Sequence, residues 1–93
     1  MKKCLKITVS GKLQGEAYFS YAQQQAQTLG IEGTLQKSSD GNVIIHASGT
    51  AEKLDQFIDY LYKGTTKSQI ADLIAEPYLN HKDFRGTFRV IEN

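Results

Sequence analysis

The side chains best suited to metal ligation or nucleophilic chemistry in this sequence are His46, His81, Cys4 and Ser20. Metal sites draw histidine and cysteine ligands from short, recurrent spacings, and these residues stand far apart. Cys4 has no histidine beside it, so a buried or edge-strand thiol is what its neighbours imply. His46 lies between Ile45 and Ala47, where alternation turns it to the sheet face opposite Ile45. His81 falls in the polar stretch Asn80 to Asp83, as an exposed loop residue. Ser20 sits where a helix begins, and N-capping or first-turn placement accounts for it. Tyr18, Phe19 and Tyr21 cluster behind a segment punctuated by Gly11 and Gly15, whereas Tyr60, Tyr62 and Tyr78 read as amphipathic surface or rim residues. None of these patterns specifies a reaction by itself.

The elements that must position these residues follow from periodicity. Leu5, Ile7 and Val9 alternate with Lys6, Thr8 and Ser10, which predicts a half-buried strand over Cys4 to Ser10. Gly11 to Gly15 reads as a loop. Phe19, Ala22, Ala26 and Leu29 then recur on one helical stripe, opposite Gln23, Gln24, Gln25 and Gln27, and Gly30 ends that helix. Extended runs over Ile31 to Lys37 and from Val43 flank Asp40-Gly41, a hairpin signal. Leu54, Phe57, Ile58 and Leu61 mark a second helix, with Thr50 as N-cap and Gly64 as stop. A weaker extended segment covers Ile70 to Ala75, broken by Pro77, and a last strand runs from Gly86 to Ile91 with Phe88 and Val90 on one face. This order predicts an α+β, ferredoxin-like βαββαβ sandwich, an antiparallel sheet covered on one face by two helices.

Ninety-three residues suffice for one domain spanning residues 1–93. Eleven basic against ten acidic residues leave a net charge of +1, so no global field draws nucleic acid or anionic lipid. No apolar run reaches the ~20 residues of a membrane span, and nothing behind Met1-Lys2-Lys3 reads as a secretory leader. The lone cysteine suits a reducing compartment. A cytoplasmic monomer without nucleic-acid or membrane partners is the expectation.

Several short motifs coincide in order. Val9-Ser10-Gly11-Lys12-Leu13-Gln14-Gly15 is similar to V-x-G-x-V-Q-G, which opens the acylphosphatase family. Leu29-Gly30-Ile31-Glu32-Gly33 resembles its L-G-[LI]-x-G, Asp40-Gly41-Asn42-Val43 its hairpin D-G-x-V, and Gly49 with Leu54 and Phe57 the start of its second helix. Leu61-Tyr62-Lys63-Gly64 resembles its L-x-x-G, and Phe88-Arg89-Val90 its closing F-x-[IV]. The resemblance runs from about Leu5 to Ile91. It implies hydrolysis of the carboxyl–phosphate bond of an acyl phosphate, with no cofactor, metal or covalent nucleophile. In the family, the loop after Q-G wraps backbone N–H groups around the phosphate ahead of a helix N-terminus. An arginine closing that loop grips the phosphate oxygens as a planar fork, and an asparagine on the second strand orients the attacking water. Here the resemblance assigns the phosphate loop to Gly15, Glu16, Ala17, Tyr18 and Phe19.

Both catalytic positions depart from the family pattern. Counted from Gln14-Gly15, the arginine position is Phe19, and the only arginines, Arg85 and Arg89, lie near the other end. In Thr34-Leu35-Gln36-Lys37 the family's tryptophan position holds Thr34 and its asparagine position Lys37, in a register anchored by the Asp40-Gly41 turn. Losing a bidentate charged contact costs about 3–5 kcal/mol. Lys37 brings three donors but no acceptor for a water proton, and Glu16 adds negative charge where phosphate would sit. Gln36 and Ser38, which flank Lys37, point to the opposite sheet face.

Phe19 has two placements open to it: an apolar side chain in a former anion pocket, as for an apolar ligand or protein partner, or a turn inward beside Ala22 and Ala26. Three functional readings follow. One is an acylphosphatase-like domain without its hydrolytic activity. Another is an atypical acylphosphatase that works through Lys37 and the loop backbone on a small anionic or acyl-phosphate ligand. The last, a sheet-face nucleic-acid binder, lacks the basic stripe and paired strand aromatics that stacking needs.

Overall fold

The computed structural model describes residues 3–13, 16–38, 40–65, 69–78 and 86–91. Its elements are β1 (Lys3–Lys12), α1 (Glu16–Leu29), β2 (Glu32–Lys37), β3 (Val43–Gly49), α2 (Ala51–Lys63), β4 (Gln69–Pro77) and β5 (Phe88–Ile91). Alternation becomes burial: Ile7 and Val9 are fully enclosed while Lys6, Thr8 and Ser10 stay part-exposed on the other face. The same period encloses Val43, Ile45 and Ala47 in β3 and Leu35 in β2. Two helices cover that apolar face, which makes the α+β, ferredoxin-like arrangement.

The sheet has five strands in the order β4-β1-β3-β2-β5. Its antiparallel part comprises β4, β1, β3 and β2, so the weak segment expected around Ile70 is the strand that completes the ferredoxin-like set. Its signal is weak because an edge strand buries little: Ile70 and Leu73 alone pack toward the core. Pro77 sits at the end of this edge strand, opposite Leu5, where a missing donor disturbs least. The last strand is an addition to the all-antiparallel expectation. β5 pairs in parallel with β2, Gly33 opposite Phe88 and Leu35 opposite Val90.

Two boundaries differ from expectation. β1 continues through Gly11 and Lys12, with a register shift between Ser10 and Gly11, so the stretch expected as loop is half strand. α1 begins at Glu16, and Ser20, an exposed residue, lies beyond its first turn. Elsewhere capping follows the sequence. Thr50 Oγ1 accepts from the Lys53 N–H at 3.3 Å, and the Gly64 N–H closes α2 on the Tyr60 carbonyl. Gly33, with φ 154°, is needed for close approach, since a Cβ there would stand 1.8 Å from the His46 carbonyl oxygen.

The core joins both layers through aromatics. Phe57 of α2 meets Phe88 of β5 edge to face, ring centroids 5.8 Å apart. Tyr18 is fully enclosed, and its hydroxyl donates to the Leu61 carbonyl at 2.9 Å. That carbonyl belongs to the last turn of α2, where intrahelical partners run out. Tyr21 makes the same kind of bond to the Tyr60 carbonyl, so two phenols tie α1 to the C-terminal end of α2.

Candidate functional site

Register alone places Lys37. Val9, Val43 and Lys37 form one row across β1, β3 and β2, at the end of the sheet from which β1 leads toward α1. Alternation sets Lys37 on the helix-covered side with Leu35, but at the last residue of β2, and its side chain is exposed. The N-terminus of α1 returns over this same end.

The phase of α1 indicates where Phe19 stands along the sheet. Gln23 Nε2 donates to the Phe88 carbonyl at 3.2 Å, which seats that flank of α1 over β5. Phe19 lies one turn earlier on that flank. A turn rises 5.4 Å, nearly the ~6.6 Å spanned by two strand residues, so it carries the helix from the level of Gly33 toward that of Leu35 and Lys37. The Phe19 ring is half-buried and packs against the core. Of its two open placements the structure favours the inward one, although the stripe position beside Ala22 and Ala26 belongs to Tyr18. Tyr18 stands four residues before Ala22 and so has helical spacing too, a signal the sequence contained.

Glu16, Ala17, Tyr18 and Phe19, expected as a phosphate loop, are instead the first turn of α1; Gly15 lies outside the described residues. No glycine or proline interrupts these four residues, and burial of Tyr18 rewards helical winding. The first-turn N–H groups still lack intrahelical acceptors, but the acidic Glu16 already meets the positive end of the helix.

The hairpin beyond Lys37 is self-contained. The Ser38 hydroxyl donates to the Asp40 carboxylate, which also accepts from the Asn42 N–H at 3.2 Å. These bonds, the Ser38 one first, hold the Asp40 carboxyl below the usual range. Ser38 is thus engaged in the turn. Gln36 is exposed, and alternation turns it to the opposite sheet face from Lys37.

The other sequence candidates do not join this corner. His46 is on the sheet face away from the helices, edge-on to Tyr78 with centroids 4.7 Å apart. Cys4 is half-buried in β1, an interior strand rather than an edge. His81 lies outside the described residues. Among the described residues no cluster of three or more His, Cys, Asp or Glu could hold a metal ion, and no helix is long and apolar enough to cross a membrane.

Comparison with known proteins by sequence gives one family. A family model described as acylphosphatase matches residues 5–90. The chain is 32% identical over 79 residues to an acylphosphatase of Bordetella parapertussis, covering 85% of this chain and 84% of that protein. To an acylphosphatase of Vibrio parahaemolyticus it is 30% identical over 89 residues, 96% of this chain and 97% of the other. The solved structure of an acylphosphatase from Coxiella burnetii superposes with a TM-score of 0.88 at 26% identity, over 97% of this chain and 93% of that one.

Proposed function

We propose that this chain, which belongs to the acylphosphatase family, keeps that family's scaffold without effective acyl-phosphate hydrolysis. The observation that carries the proposal is the state of Phe19. The family's phosphate-gripping arginine falls at this position, and the ring here packs half-buried against the core with no charge and no donor to offer. Hydrolysis also needs an acceptor that orients water, and the asparagine position holds Lys37, which has none. Glu16 at the helix start opposes a second negative charge. Without a fork on the phosphate and an acceptor on the water, neither positioning nor charge stabilisation is in place.

One observation favours a weaker form of activity. Lys37 is exposed at the corner to which the α1 N-terminus returns, and a lysine can hold phosphate as a point charge. An atypical acylphosphatase would work through Lys37 and the first-turn N–H groups on a small anionic ligand such as an acyl phosphate. The lone Cys4 thiol, suited to a reducing compartment, supports a cytoplasmic setting for either form.

Inorganic phosphate, titrated into isotopically labelled protein and followed by amide shifts, separates the two. The non-catalytic scaffold is expected to show no saturable shift at residues 16–19 up to millimolar phosphate. A saturable shift there that Lys37→Ala abolishes would show an anion site built on Lys37, as the atypical enzyme requires.

A further inference from the structure

The sheet ends on β4 and β5, and the backbone groups there that turn away from the neighbouring strand form its two edges. Hydrogen bonding fixes which groups those are. In a strand the N–H and C=O of one residue point to one side, and those of the next residue to the other. On β5 the Gly33 N–H donates to the Thr87 carbonyl at 2.9 Å, so Thr87 turns toward β2 and Phe88 turns outward. The outward Phe88 carbonyl accepts from Gln23 Nε2 at 3.2 Å. Thus α1 bonds directly to that edge.

The β4 edge is far more exposed. Only Ile70 and Leu73 in this strand are part-buried; the rest are exposed, Ile74 by 49%. The Tyr78 N–H donates to the Cys4 carbonyl at 2.9 Å, which makes these two residues a bonded pair. Counting back in register, Lys6 with Glu76, Thr8 with Ile74 and Ser10 with Asp72 are bonded pairs too. Leu73, Ala75 and Pro77 alternate with them, and so turn their backbone groups outward. A register shift between Ser10 and Gly11 ends this row beyond Asp72.

Two of the three outward positions offer no donor. The Leu73 N–H donates to the Asp72 carboxylate at 2.9 Å, and Pro77 has no N–H. Their placement answers a specific hazard. Ile70, Leu73 and Ile74, with Ala71 and Ala75, make a short apolar run on an exposed edge, the kind of segment that templates another strand. Antiparallel pairing of the whole strand Gln69–Pro77 with its own copy sets Leu73 opposite Leu73. That central pair needs the N–H that Asp72 holds, twice over. We propose that Asp72 and Pro77 close the β4 edge to strand addition, so that folded copies of this chain do not join edge to edge.

Sedimentation velocity combined with amide hydrogen exchange tests this. In wild type, exchange at the Leu73 and Ala75 amides should not depend on protein concentration. Slowing there as concentration rises overturns the proposal without any variant. The double variant Asp72→Ala/Pro77→Ala frees one donor and adds another. It is expected to associate at concentrations at least about tenfold lower than wild type, with both amides slowed as it does so. Asp72→Asn/Pro77→Ala keeps an oxygen for the Leu73 N–H and should associate no more readily than Pro77→Ala alone. Urea unfolding checks that each variant is folded. A folded Ala double variant that associates no better than wild type overturns the proposal. So does association that leaves both amides exchanging as in the monomer, or an Asn variant that associates as readily as the Ala one.

Discussion

The double variant Phe19→Arg with Lys37→Asn is expected to hydrolyse an acyl phosphate such as benzoyl phosphate at least about a hundred-fold faster than the wild-type chain, the range set by a lost charged contact of about 3–5 kcal/mol. Register and helix phase set both positions toward one end of the sheet. Lys37 closes β2 in the row of Val9 and Val43, and Phe19 lies one helical turn before Gln23, which is seated on β5. An arginine at 19 supplies the planar fork, and an asparagine at 37 supplies the oxygen that accepts from water. Neither alone should suffice, since the fork binds without aiming the nucleophile and the amide aims water at nothing held. Phe19 gives up part of its packing against the core in this exchange, so circular dichroism must show the variant folded. A folded double variant without the gain would mean that the corner does not assemble as register and helix phase place it.

The second large effect concerns Tyr18, which holds α1 on α2. Tyr18→Ala is expected to destabilise the domain by about 3–5 kcal/mol, as for other enclosed aromatics, a large share of the ~5–15 kcal/mol typical of a domain. Tyr18→Phe isolates the hydroxyl and should cost about 1–3 kcal/mol, because the Leu61 carbonyl loses its donor at the end of α2. Urea unfolding measures both. Burial, with the Tyr21 hydroxyl nearby, raises the Tyr18 pKa well above the ordinary tyrosine value. The fold thus favours the neutral phenol, and the unfolded chain releases that proton first as pH rises. Its contribution is complete below pH ~10 and is lost as pH climbs above that value. Tyr18→Phe should make stability less steeply dependent on pH in that range, and an unchanged slope would contradict the buried role of the phenol.

Tyr18 also shows where the sequence was hard to read. Tyr18 and Phe19 both keep helical spacing with Ala22, and only the three-dimensional fit of a long phenol reaching the Leu61 carbonyl decides which of them is enclosed. The remaining helix signals were plain: Thr50, Gly64 and the Leu54, Phe57 and Leu61 stripe stand where caps and periodicity put them. β4 was faint because its partner is β1 alone, so few of its side chains needed to be apolar. That β5 would pair in parallel with β2 was not legible, since four residues carry no mark of strand direction. For the site, residue types were readable at 19 and 37, but their convergence needed the register of two sheet pairings and the phase of α1. The Asp40-Gly41 turn was visible, whereas its bonding of Ser38 was not.

The most direct test is the rate of benzoyl phosphate hydrolysis by the purified wild-type chain, followed against the spontaneous reaction in the same buffer. A scaffold with Phe19 and Lys37 at its two decisive positions predicts a rate indistinguishable from the spontaneous one, unchanged by Lys37→Ala. Turnover well above background that disappears with Lys37→Ala would contradict it and make this chain a working acylphosphatase built on a lysine.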